Sequence, residues 1–241
     1  MVPEAKTTQL KAIKSEKLPA NIPENFGSEC GGSEDVVIPY LMLAQGNLDF
    51  IREGKAAQGD IVDSDTKTPV AKFGQEIEVI PFYLVKYWRV DKTVNGKTMK
   101  DRVFPFHAIE HAEWKGTKES IKENGEDKTR YLCYMMYCLN AKNLSALPYT
   151  VVFKKGSMFT GKFVSGYFNK CGRAQKTPAS NVLKLSAKSA TNPLNNAVFF
   201  KFDTVEGRVT SLEEKIAAYE WYQIVAKSAA KAIVDHEEEG E

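Results

Sequence analysis

Basic and aromatic side chains are interleaved through one long stretch of this chain, and single-stranded nucleic acid calls for that combination. From Lys128 to Phe202, 75 residues, there are 12 Lys and Arg and no Asp or Glu. An even scatter of the 31 acids would place nine or ten of them there. The other 166 residues carry 21 bases against all 31 acids, so the net charge of +2 conceals a strong segregation. Twelve of the 26 aromatic residues share the acid-free window. Lysine and arginine neutralise phosphates, and exposed rings stack on unpaired bases. The candidate phosphate contacts are Arg130, Lys154, Lys155, Lys162, Lys170, Arg173 and Lys176. The candidate stacking rings are Trp88, Tyr131, Tyr134 and Tyr137. Alternation along a strand puts Arg130 and Tyr134 on one face and Tyr131 and Tyr137 on the other, so one pair is expected to face outward. The Phe199-Phe200 and Phe163-Tyr167-Phe168 groups are expected to be core.

Two other chemistries can be written from the residue types. Gly156-Ser157-Met158-Phe159-Thr160-Gly161-Lys162 is close to a phosphate-cradling P-loop, but Phe163 stands where the motif needs Ser or Thr to hold magnesium. His107, His111, Cys133 and Cys138 could be combined into a two-His, two-Cys zinc site. The cysteines, five apart, would point to opposite faces of a straight strand. No G-x-S-x-G elbow or H-E-x-x-H helix occurs. The reading is of a protein that is not an enzyme and takes no cofactor.

A chain of 241 residues, 43% apolar and 27% charged, has the balance of a globular protein with a proper core. No apolar run approaches a membrane span, no leader segment follows Met1, and four cysteines are too few for a disulfide scaffold. A cytoplasmic location is expected, the host cytoplasm if the chain is phage-encoded. Residues 1–34, with three prolines and little periodicity, read as a disordered arm. The β-rich body spans 35–209. Its strands are expected at Val36–Leu43, Glu76–Val90 with a bulge or edge at Pro81, Thr98–Phe106 after an Asn95-Gly96 turn, Arg130–Leu139, Tyr149–Lys154, weakly at Val182–Leu185, and at Ala197–Phe202. Residues 115–127 read as a polar loop or short helix, and Gly156–Cys171 as a helix. A C-terminal helix over 210–234 starts at a capping box, Thr210 or Ser211 with Glu213 or Glu214. Ile216, Tyr219, Ala226, Ala230 and Ile233 share one sector of it, available for packing. Five acids, Asp235, Glu237, Glu238, Glu239 and Glu241, end the chain in a flexible tail over 235–241.

The strand Pro148-Tyr149-Thr150-Val151-Val152-Phe153-Lys154-Lys155, the helix with Lys162 after it and the acidic stretch Asp235 to Glu241 together resemble bacteriophage replication single-stranded-DNA-binding proteins. The resemblance is one of pattern over roughly residues 36–241. It implies a mainly β, α+β fold: an OB-like β-barrel with an inserted hairpin and helix, a long C-terminal helix and a flexible acidic tail. It implies non-sequence-specific binding of single-stranded DNA in replication or recombination. The tail would compete with DNA for the groove and then contact a polymerase or helicase. Tails of that family often end in an aromatic residue, whereas this chain ends Gly240-Glu241, which bears on which partners the tail recruits. No membrane partner is implied, and a homo-oligomer is compatible with the pattern. The competing readings are an RNA-binding or strand-annealing protein on the same surface, and a virion or scaffold protein whose segregated charge drives self-assembly.

Overall fold

The computed structural model describes residues 38–46, 48–94, 97–106, 118–123, 125–193 and 195–238, with side chains in the last helix as far as 226 and the backbone alone at 97. The arm drawn at 1–34, the Asn95-Gly96 turn, His107, His111 and residues 239–241 lie outside the described residues. All described residues belong to the unit Val37–Glu241.

In chain order the elements are β1 (Tyr40–Leu43), α1 (Asp49–Arg52), β2 (Ile61–Asp63), β3 (Pro69–Ala71), β4 (Glu76–Val94), β5 (Lys97–Pro105), β6 (Lys118–Glu123), β7 (Glu126–Asn140), β8 (Tyr149–Phe153), α2 (Met158–Arg173), β9 (Asn181–Thr191), β10 (Val198–Val209) and α3 (Leu212–Glu238). The fold is mainly β with helices added. One curled sheet runs β10-β9-β4-β7-β8-β1-β2-β3. All pairings are antiparallel except β1 with β8. Its β1 side comes back towards β10, where Phe200 N donates to Gln45 Oε1 at 3.1 Å.

Two long strands organise everything else. β4 has 19 residues and β7 has 15, and they pair from Val79↔Asn140 to Lys92↔Lys128. At one end β4 carries β9 and β7 carries β8. At the other, β5 joins β4 and β6 joins β7, making a four-stranded wing ordered β5-β4-β7-β6. Pro81 sits at a register shift between Pro81 and Tyr83, which accommodates a residue without an N–H in a central strand.

Residues 118–123 are a strand, where a polar loop or short helix was expected. The cause is alternation of charge. Glu119, Ile121 and Glu123 are the half-buried positions, and Arg130 and Lys128 on β7 and Arg102 on β5 meet the two glutamates. Cross-strand ion pairs thus do here what apolar pairs do elsewhere.

Alternate residues of the same strands feed two cores. Ile77, Val79, Leu183 and Leu185 join Trp88, Tyr134, Phe153 and Phe202 in the larger core, which α2 closes with Val164, Tyr167 and Cys171. Ile80, Phe82, Leu139 and Val182 form the second, closed by Ala218 and Val225 of α3. α2 approaches closely because residue 161 is glycine: a Cβ there would lie 2.6 Å from the Tyr134 ring and 2.8 Å from Phe153 Cβ.

α3 starts at the expected capping box, formed by Ser211 and Glu214. Glu214 N donates to Ser211 Oγ at 3.2 Å, and Ser211 N donates to Glu214 Oε2 at 2.6 Å. Its backbone stays helical to Glu238, past the boundary drawn at Val234. No glycine or proline interrupts the chain before Gly240, and glutamate is a good helix former. The packing sector is also corrected. Ile216 and Tyr219 are 50% and 62% exposed, while Glu214, Ala218 and Val225 are buried.

Candidate nucleic-acid interface

The groove forms where β8 ends. Lys154 leaves the strand, Lys155 takes a left-handed backbone (φ 49°), and Gly156 passes so close to Phe199 that a Cβ would sit 2.5 Å from its ring. A non-glycine residue in that region signals a strained turn held by its surroundings. The turn delivers two adjacent lysines to the face of β4 and β7 that already carries Arg89 and Tyr131, which are paired in register.

These groups surround one buried carboxylate. Asp91 Oδ2 accepts from Tyr131 Oη at 2.6 Å, Asp91 Oδ1 accepts from Arg89 Nε at 2.6 Å, and Lys155 Nζ is 3.1 Å from Oδ2. Burial by itself would raise the Asp91 carboxyl, but the hydrogen bonds from Tyr131, Arg89 and Lys155 outweigh it and hold it below its ordinary range. Lys155 also lies 5.3 Å from the Tyr131 ring centroid, and the Arg89 guanidinium 5.9 Å. Two cations, Arg89 and Lys155, therefore share one anion. Burial, followed by repulsion from Arg89, pushes the Lys154 ammonium below its usual value. A phosphate placed here relieves that repulsion.

Two depressions meet at Lys155. The first, about 610 Å³, is lined by Tyr40, Tyr87, Arg89, Lys154, Phe199 and Phe200 among others. The second, about 530 Å³, is lined by Asp91, Lys118, Tyr131, Phe159 and Lys162. Tyr40 at the far end is 48% exposed, and Phe159 at the first turn of α2 is 82% exposed with Lys162 Nζ 5.8 Å from its ring centroid. Phe163, expected in the core, is 45% exposed one turn on, because helical phase puts it beside Phe159 at the edge of the buried sector formed by Thr160, Val164, Tyr167 and Cys171.

The residues expected at the interface separate into three groups. Lys154, Lys155 and Lys162 come together in the groove. Lys170, Arg173 and Lys176 are exposed at the far end of α2 and just beyond it, Lys170 in an ion pair with Glu206 at 3.2 Å. Arg130 and the four expected rings are not free platforms. Arg130 is held by Glu119 at 2.5 Å in the wing. Trp88 is 1% exposed, donates Nε1–H to Phe106 O at 3.1 Å and stacks on that ring. Tyr131 is buried with its hydroxyl on Asp91, Tyr134 lies under Gly161, and Tyr137 is wedged against Phe82 and Tyr83. The alternation along β7 is as expected, but both faces are covered: α2 closes one, and α3 and the lysine turn close the other.

Sequence reasoning missed Arg89, Tyr40, Tyr87 and Phe159. Arg89 and Tyr40 lie outside the acid-free window, and only strand register reveals that Arg89 meets Tyr131. Phase on α2 was the available signal for Phe159, which falls on the wheel with Lys162 and away from Val164.

The P-loop and zinc alternatives meet specific obstacles. Residues 158–162 are already helix, Gly161 is pressed on Tyr134, Thr160 Oγ1 donates to Phe202 O at 2.6 Å and Phe202 N donates to Ser157 Oγ at 2.9 Å. The segment is a packed helix start, with its hydroxyls committed to β10. Cys133 faces Tyr87, Lys154 and Arg89 at the groove, its thiol pushed up to about 11 by burial, whereas Cys138 belongs to the larger core with its Sγ 3.7 Å from Tyr149 O. Among the described residues no cluster of three metal-ligating side chains occurs, and no helix is long and apolar enough to cross a membrane. No protein-family model matches the chain, and no significant match to it occurs among curated proteins or solved structures.

Proposed function

We propose that this protein binds single-stranded DNA without sequence specificity, as a strand-coating protein of replication or recombination, using an OB-like barrel. The observation that carries the reading is the groove of Arg89, Lys154 and Lys155 around one carboxylate, with Tyr40 and Phe159 exposed on either side. Phosphates bind the cationic centre and bases stack on the flanking rings. Nothing in that set reads base edges, which fits binding without sequence preference.

The connectivity supports the barrel reading. Taken as the five barrel strands, β4, β7, β8, β9 and β10 pair in OB order, with α2 between the third and fourth and β1 inserted beside the third. In that reading the wing is the elaborated first loop, the β9–β10 hairpin is the last, and the groove lies between them. OB folds hold oligonucleotides there. The acidic segment from Asp235 to the C-terminus competes for the groove until DNA displaces it, and is then available to a polymerase or helicase.

Fluorescence anisotropy with an unstructured single strand and a duplex of equal length, over a salt series, tests this. The expected result is single-strand preference, a steep salt slope, and tighter binding by a chain truncated after Val234. Weak, salt-insensitive binding to both would overturn it. Equal or better binding of a ribo-oligomer would reassign the same groove to RNA.

A further inference from the structure

α3 carries a second surface that the groove does not use. Leu212, Ile216, Tyr219 and Gln223 recur at spacings of four, three and four and are all exposed, the first three by 73%, 50% and 62%. In the sequence the spacing continues through Ala226, Ala230 and Ile233, and the helix backbone extends to Glu238. This is a heptad seam running the length of a 27-residue helix. The buried positions Glu214, Ala218 and Val225 lie almost diametrically opposite it on the wheel. The helix is thus docked on the sheet by one side and leaves the seam side bare from Leu212 to Gln223, and an exposed stripe of this kind marks an interaction surface.

The flanking charges identify the occupant. With Ile216 and Gln223 at a positions and Leu212 and Tyr219 at d, Lys215 is a g residue and Glu220 the e residue five positions later. In a parallel pair of helices each g residue faces the partner's e residue at that offset. Lys215 of one copy would meet Glu220 of the other, twice by symmetry. An antiparallel pair overlapping over Leu212–Gln223 would instead set Glu213 of each copy against Glu220 of the other. Neither Lys215 nor Glu220 forms an ion pair with another described residue. Gln223 at an a position fixes the register, as a single polar residue does in such seams.

We propose that two copies of this chain associate through α3 as a parallel two-stranded coiled coil, with the two sheets on the outside of the pair. Sedimentation velocity and light scattering of the full chain, from about 1 to 100 µM, read it directly. A dimer is expected, weakened at least about tenfold by Ile216→Glu, whose exposed position leaves the fold intact by circular dichroism. Lys215→Glu weakens it several-fold, and adding Glu220→Lys restores it. Leu212→Cys, at one end of the seam, forms a self-disulfide only in the parallel arrangement. A chain monomeric throughout, or a dimer indifferent to Ile216→Glu, overturns the proposal. So does a charge swap that fails to restore association, or a Leu212→Cys chain that does not cross-link.

Discussion

Lys154 is the side chain on which the groove's electrostatics turn. Its ammonium is held below the ordinary lysine range by burial and by Arg89, and a bound phosphate opposes both effects. On the proposed function the cation is the phosphate-binding form, so affinity is expected to be lost as pH rises through that lowered pKa. The loss comes at lower pH than for a chain with Lys154→Arg, whose guanidinium stays charged. Oligonucleotide titrations across alkaline pH on both proteins check it. At fixed pH, Lys154→Ala lowers the salt slope by about one, because one phosphate contact disappears. Phe159 and Trp88 offer a contrast between a ring on the surface and a ring in the core. Phe159→Ala costs about 1–3 kcal/mol of binding, with an unchanged salt slope and an unchanged melting temperature. Trp88→Ala costs about 3–5 kcal/mol of stability instead, read by denaturant unfolding, since the indole is buried and hydrogen-bonded. Residue types alone could not separate these two aromatics. Both stand near lysines, and only the burial of Trp88 in the larger core, stacked on Phe106, distinguishes them.

Elements were more legible than their surroundings. The runs of β-branched and aromatic residues located β4, β5, β7, β8 and β10, and Pro81 marked a register shift, because local propensity and period agree there. β6 was missed because its partners are charges brought in from β5 and β7, information absent from its own six residues. α3 was found and its start was placed, yet its seam was taken for its buried side. Amphipathic spacing shows that a helix has two sides without showing which one meets the protein's own sheet. Two consequences belong to the elements. Gly161→Ala, favourable by helix propensity by about 1 kcal/mol, is expected to lower stability by about 1–3 kcal/mol, because Tyr134 and Phe153 occupy the space. Thermal melts beside Gly166→Ala, where the space is open, isolate the effect. At the start of α3, Arg208 binds Glu214 through two contacts of 2.9 and 2.6 Å. This pairing, above the opposing effect of burial and with help from Ser211, holds the carboxyl at about 2. A lowered folded-state pKa contributes stability that is complete above the unfolded value of 4.5 and is lost as pH falls towards 2. Glu214→Gln is expected to flatten the acid limb of the stability profile in that window.

At the scale of the whole molecule, the acid-free window is spent in two ways. In the wing and on β9, Lys128, Arg130, Lys184 and Lys188 are absorbed by acids from neighbouring strands. At the groove, Lys154 and Lys162 make no ion pair with a described residue, and Lys155 shares Asp91 with Arg89. Charge counted along the chain therefore overstated the number of free cations and understated how closely the remaining ones are grouped. The uninterrupted β4 has its own consequence. Arg89 and Asp91 lie between the main body of the sheet and the wing tip, on a strand whose hydrogen bonds run through to Val94, and Tyr131 opposite Arg89 is bonded into β6 as well. The wing is thus a crank whose shaft passes through the cationic cluster of the groove. A twist at its tip would reorient the Arg89 guanidinium and the Asp91 carboxylate that holds it, and shortening the hairpins back to the curled sheet would leave that pair on a fraying end.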